Sequence, residues 1–233
     1  MRHFDWLAET IVDLGGTPSI ERGPVRMGGK VIADFMKNDV LAEEGAVTQY
    51  EAHIKAIDDP KIKRLLERIL SDEKAHRTKF EHFIDKAKKH DMKDLRGSKQ
   101  DEVTKVLDWG IAHEYTVVLQ YLIHSYMTKD KAAKKELEDQ AINEMQHIGW
   151  LSEEMVSAGG NPRIEHTEVF QSKKLAENLR ADIKVEREVT EGYDKAAKKM
   201  KDPDLKKLLI RIRDHEIYHD KVFGDLLGKE ERK

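Results

Sequence analysis

Glu144-Met145-Gln146-His147 and Glu216-Ile217-Tyr218-His219 are two copies of one pattern, Glu-x-x-His, and each follows a further glutamate, Glu114 and Glu186, by thirty residues. A third copy, Glu73-Lys74-Ala75-His76, follows Glu43 by the same interval. Each leading glutamate is followed seven residues later by a tyrosine: Tyr50, Tyr121 and Tyr193. Helical residues three apart lie on one face, about one turn from each other. An antiparallel partner helix, joined by a short turn, then brings the leading glutamate level with the pair.

The faces carrying these groups are otherwise apolar. Leu179, Ile183, Glu186, Thr190, Tyr193 and Ala197, then Leu205, Leu209, Ile212, Glu216, His219 and Phe223, recur in steps of three and four. Val40, Glu43, Val47 and Tyr50, then Leu66, Ile69, Glu73, His76 and Phe80, repeat the pattern in the first segment. Such a stripe is the core seam of a helical bundle. Carboxylates on that seam cost several kcal/mol each (about that order) unless paired, protonated or bound to a cation. Two hairpins packed face to face present four carboxylates and two imidazoles, a donor set for two iron or manganese ions.

Composition agrees with long helices. Charged residues make up 37% of the 233 and hydrophobic residues 39%, with only five prolines. Net charge is −3 with the signs interleaved, which speaks against a nucleic-acid partner. The absence of cysteine excludes disulfides and thiolate metal sites. No apolar run reaches membrane-spanning length and no secretory signal is present, so a soluble cytoplasmic protein is expected. Asp59-Pro60 and Asp202-Pro203 read as capped helix starts, and Gly15-Gly16 and Gly159-Gly160 as helix ends. Three hairpins result, at about 30–90, 101–158 and 173–229, with a short helix at 1–14 and a polar separator at 90–98.

Around Glu114, Glu144-x-x-His147, Glu186 and Glu216-x-x-His219 the chain resembles the ferritin-like superfamily, most nearly bacterioferritin, over about 101–230. The resemblance implies an all-α fold: a ferritin-like four-helix bundle over 101–233, preceded over 1–97 by a partial ferritin-like unit of short helix, crossover and hairpin. It implies a di-iron carboxylate oxidoreductase that oxidises Fe(II) with O2 or H2O2, as a ferroxidase or in peroxide detoxification. Glu144 and Glu216 would bridge two iron ions, with manganese as the other candidate. Glu114, Glu186, His147 and His219 would be terminal ligands, and Tyr121 and Tyr193 would lie beside the metals in a catalytic role. Met145 matches the position that binds haem in bacterioferritin, although a helical methionine also serves plain packing. An iron-storage cage and a metal-free structural bundle are the alternatives.

The sequence departs from that family pattern in places. The aspartate that usually precedes the glutamate of each Glu-x-x-His is kept as Asp72 but replaced by Asn143 and His215. The additional glutamate of rubrerythrins, three residues past the ligand, is Val189. Residues 1–21 repeat 145–165 at 11 of 21 positions. Residues 1–90 align with 145–230 almost throughout, with a one-residue gap before Glu43, which makes His3 the counterpart of His147. A hairpin ending in glutamate is therefore expected upstream of Met1. Glu43, Glu73 and His76 make half a site, which a second copy could complete in a homodimer built through the N-terminal hairpin. The apolar surface of helix 103–128, with Trp109, Tyr115, Leu122 and Tyr126, points to association as well.

Overall fold

The structure, a computed structural model, describes residues 2–21, 23–24, 28–29, 32–87 and 102–233. Seven helices and no strand occur among the described residues. They fall into two compact units, residues 1–94 and 95–233. The expected polar separator at 90–98, with His90, lies outside the described residues.

In the N-terminal unit α1 spans Arg2–Asp13, α2 Ile32–Ala56 and α3 Pro60–Ala87. In the C-terminal unit α4 spans Glu102–Met127, α5 Lys131–Ser157, α6 Leu175–Lys199 and α7 Pro203–Glu230. The pairs α2/α3, α4/α5 and α6/α7 form the three hairpins, and α4 packs on α6 and α5 on α7 to make a four-helix bundle. An all-α fold with an added N-terminal hairpin is what the chain adopts.

One device starts the second helix of every hairpin. Asp59 Oδ1 accepts from the Lys61 and Ile62 amides, Asp130 Oδ1 from Ala132 and Ala133, and Asp202 Oδ1 from Asp204 and Leu205. Each aspartate satisfies amides that the first turn leaves free, worth about 1 kcal/mol. A matching device ends α1 and α5. Gly15 and Gly159 have φ of +84° and +81°, where a side chain is disfavoured. The following glycine amides reach back to Ile11 O and Met155 O, both at 2.8 Å.

After α5, residues 158–174 cross over along α4. The Thr167 amide donates to Thr116 Oγ1 at 2.9 Å, and the Phe170 amide to Gln120 Oε1 at 2.9 Å. His124 Nε2 donates to Phe170 O at 2.8 Å. Leu122, Ile123 and Tyr126 are buried. Tyr115, part of the α4 surface read from sequence as pointing to association, packs edge-on against His166 of this crossover, with ring centres 5.8 Å apart. The bundle core continues with Leu107, Ile111, Leu151, Tyr193, Leu209 and Ile212. Trp109 remains 40% exposed, its indole lying over Gly192, where an added Cβ would come within 2.4 Å of the ring.

The stripe of the N-terminal hairpin is less covered. Val40, Tyr50 and Ile54 are half-buried, whereas Tyr193 and Leu179 in the C-terminal unit are fully enclosed. No described helix is long and apolar enough to cross a membrane.

Candidate metal centre

Four helices each send one turn of their inner face to the middle of the C-terminal unit. α4 contributes Glu114, α5 Glu144 and His147, α6 Glu186, and α7 Glu216 and His219, all fully buried. They form two overlapping groups: Glu114, Glu144, His147 and Glu216, and then Glu144, Glu186, Glu216 and His219. Within each group one donor atom per residue lies within 4.8 Å of the others.

Glu144 and Glu216 belong to both groups, and their carboxylates are divided between the two histidines. Glu144 Oε2 lies 2.7 Å from His147 Nδ1, and its Oε1 lies 2.6 Å from His219 Nδ1. Glu216 Oε1 lies 3.2 Å from His147 Nδ1, and its Oε2 lies 3.2 Å from His219 Nδ1. Glu114 approaches only His147, at 3.3 Å, and Glu186 only His219, at 3.7 Å. Two carboxylates spanning two positions and one further carboxylate serving each position is the arrangement a pair of cations requires.

The site's polar atoms are poorly satisfied by the protein itself. Both Glu144 oxygens, Glu186 Oε2, Glu216 Oε1 and His219 Nδ1 are buried without a hydrogen-bond partner. The short approach of His219 to Glu144 lacks the alignment of a hydrogen bond. Orphaned acceptors buried at such density call for a ligand. Carboxylate oxygens with imidazole nitrogens suit iron or manganese, so the residues present fit the group.

Electrostatics points the same way. Burial opposes charge on the imidazoles, yet the surrounding carboxylates outweigh it, pushing His147 up to about 12 and His219 up as well. Burial raises Glu144 to about 7 against the pull of His219, and raises Glu186 to about 8 with added repulsion from Glu216. Glu114 goes the other way, since His147 overcomes its burial and holds it at about 2.

The tyrosines brace the outer carboxylates crosswise. Tyr121 on α4 donates its phenol hydrogen to Glu186 Oε1 on α6, and Tyr193 on α6 donates to Glu114 Oε1 on α4. Burial and the neighbouring carboxylates push both phenols well above their usual range. Met145, one residue from Glu144, is 41% exposed and belongs to neither group.

Three features were not read from the sequence. His215, at a position of departure from the family pattern, has its Nδ1 2.9 Å from His147 Nε2. Burial and the charge of His147 lower the His215 pKa, so it stays neutral and accepts the Nε2 hydrogen. Asn143, the other departure, donates instead to Gln140 Oε1 at 2.9 Å within its own helix. A buried network also runs past the site: Asp182 accepts from Gln120 Nε2 and pairs with His124 Nδ1, each at 2.9 Å. Asp182 lies one turn before Glu186 on the same helix, which was its only sequence signal.

In the N-terminal unit Glu43, Glu73 and His76 also converge, with donor atoms within 4.8 Å, in a half-buried setting. Burial and a hydrogen bond to Glu73 raise Glu43 to about 7. His3 joins this group, with Nδ1 2.9 Å from Glu73 Oε1.

Comparison with known proteins agrees with this architecture. A family model described as a ferritin-like domain matches residues 1–90 and 105–233. A curated bacterioferritin from Desulfovibrio desulfuricans is 31% identical over 86 residues, 36% of this chain and 48% of that protein. The match thus spans about half the length of that relative.

Proposed function

The chain belongs to the ferritin-like family, and from that premise we propose that its C-terminal unit is a dinuclear iron–carboxylate oxidoreductase oxidising Fe(II) with O2 or H2O2. The observation that carries the reading is the division of Glu144 and Glu216 between His147 and His219, one oxygen to each. Glu114 and His147 would hold one ion, Glu186 and His219 the other, and the two shared carboxylates both.

Two irons so held would supply a pair of electrons together, which would let the oxidant be reduced without release of a one-electron product. The protein's part is to prepare and protect that position. Tyr121 and Tyr193 fix the outer carboxylates, so the donors are oriented before any ion arrives. His215 holds the His147 ring with Nδ1 facing inward. Tyr121 packs edge-on against Phe223 at 4.9 Å between ring centres, and both rings are fully buried.

Glu144→Ala and His147→Ala test the reading. Each is expected to abolish tight iron binding and the oxidation of Fe(II) by O2 or H2O2. Undiminished oxidation in both variants would refute the assignment.

A further inference from the structure

The N-terminal cluster reproduces the geometry of the C-terminal one at four of its six positions. Through the internal repeat, His3 corresponds to His147, Glu43 to Glu186, Glu73 to Glu216 and His76 to His219. The contacts correspond as well. His3 Nδ1 to Glu73 is 2.9 Å where His147 Nδ1 to Glu216 is 3.2 Å. His76 Nδ1 to Glu73 is 3.0 Å where His219 Nδ1 to Glu216 is 3.2 Å, and His76 to Glu43 equals His219 to Glu186 at 3.7 Å. The paired imidazoles stack in both units, with ring centres 5.8 Å and 6.2 Å apart.

We propose that Glu43, Glu73 and His76 form a second site for a divalent transition-metal ion, holding one ion per chain, with His3 held against Glu73 beside it. Glu73 is the pivot, giving one oxygen to each histidine. Among the described residues no further carboxylate joins the group, so its donors serve one ion where the other cluster serves two. Asp72 orients His3, with Oδ2 3.2 Å from Nε2, and Arg68 steadies the other Asp72 oxygen at 3.2 Å. His3 in turn holds Glu73, the kind of support a ligand ordinarily receives from its surroundings. The setting differs in one respect: these side chains range from 12% exposed at Glu73 to 43% at His76. An ion there keeps water among its ligands and exchanges readily, whereas the buried pair is enclosed.

The inference shares its ligand pattern with the dinuclear reading, and the test separates the two. The full chain is titrated with Co(II), with visible absorption reporting coordination and dialysis the stoichiometry. Glu73→Ala and His76→Ala are each expected to bind one ion fewer per chain than wild type, with helix content unchanged by circular dichroism. His3→Ala should weaken that ion by about tenfold or more. Equal stoichiometry in wild type and both variants overturns the proposal while leaving the dinuclear site standing. A wild type that binds a single ion, lost in His76→Ala, upholds it and removes the dinuclear reading instead. A second copy completing the cluster would have to bring its own histidine to the place His3 fills, so dimerisation that requires Co(II) also overturns a site held within one chain.

Discussion

His147 and His215 face each other ring nitrogen to ring nitrogen, Nε2 to Nδ1 at 2.9 Å. The neutral His215 accepts the hydrogen that keeps the inward nitrogen of His147 free for a ligand. His215→Ala is expected to weaken metal binding by about tenfold or more. His215→Asp should restore it, because a carboxylate accepts the same hydrogen. Competition titration against a chelator measures both, and wild-type affinity in the alanine variant would remove His215 from this role.

The metal-free protein should lose stability as pH rises. Glu144 and Glu186 have folded-state values of about 7 and about 8, above the 4.5 of an exposed glutamate. Their contribution is complete below 4.5 and is lost as pH climbs through those folded values. His147, raised above 6.5 to about 12, acts in the same direction. The Tm of the apoprotein is therefore expected to fall between about pH 5 and pH 8, with a shallower slope in Glu186→Gln. Saturating Mn(II) should raise the Tm most at the upper end, since binding must displace fewer protons there. A Tm that rises with pH in the apoprotein contradicts this account.

Tyr121→Phe and Tyr193→Phe each leave a buried carboxylate without its phenol donor. Each should cost about 1–3 kcal/mol of stability in the metal-free protein, read by urea denaturation. The number of ions bound should stay the same, because the phenols brace ligands rather than serve as ligands.

Asp182→Ala strands His124 and Gln120, which anchor the crossover to α4. Breaking a buried polar pair by removing one partner costs about 3–5 kcal/mol. Protease cleavage within 158–174 should become faster in this variant, whereas a cleavage rate equal to wild type would separate the network from the crossover.

The helices, hairpins and converging glutamates were legible because a charged residue on an apolar seam is conspicuous, and a thirty-residue offset repeated three times leaves one way to align it. Asp59, Asp130 and Asp202 cap their helices through local contacts that a few neighbouring letters specify. What escaped depends on side chains meeting across elements. The acceptor role of His215 needs α5 and α7 in contact, and its sequence position read only as a lost aspartate. Likewise, His3 read as a relic of the repeat until α1 lay on α3 and brought its ring to Glu73. The hydrogen bonds from the Thr167 and Phe170 amides to Thr116 and Gln120 on α4 also need two elements in place, and periodicity alone carries no sign of them.

Trp109 stands half in solvent with its ring centre 5.0 Å from that of Tyr193, whose hydroxyl reaches Glu114. The bare backbone at Gly192 is what lets the indole lie so close. This makes the residue a built-in optical probe: paramagnetic iron entering the bundle should quench its emission, and Trp109→Phe should abolish that part of the signal. Filling of the C-terminal unit could then be followed in real time without attaching a dye.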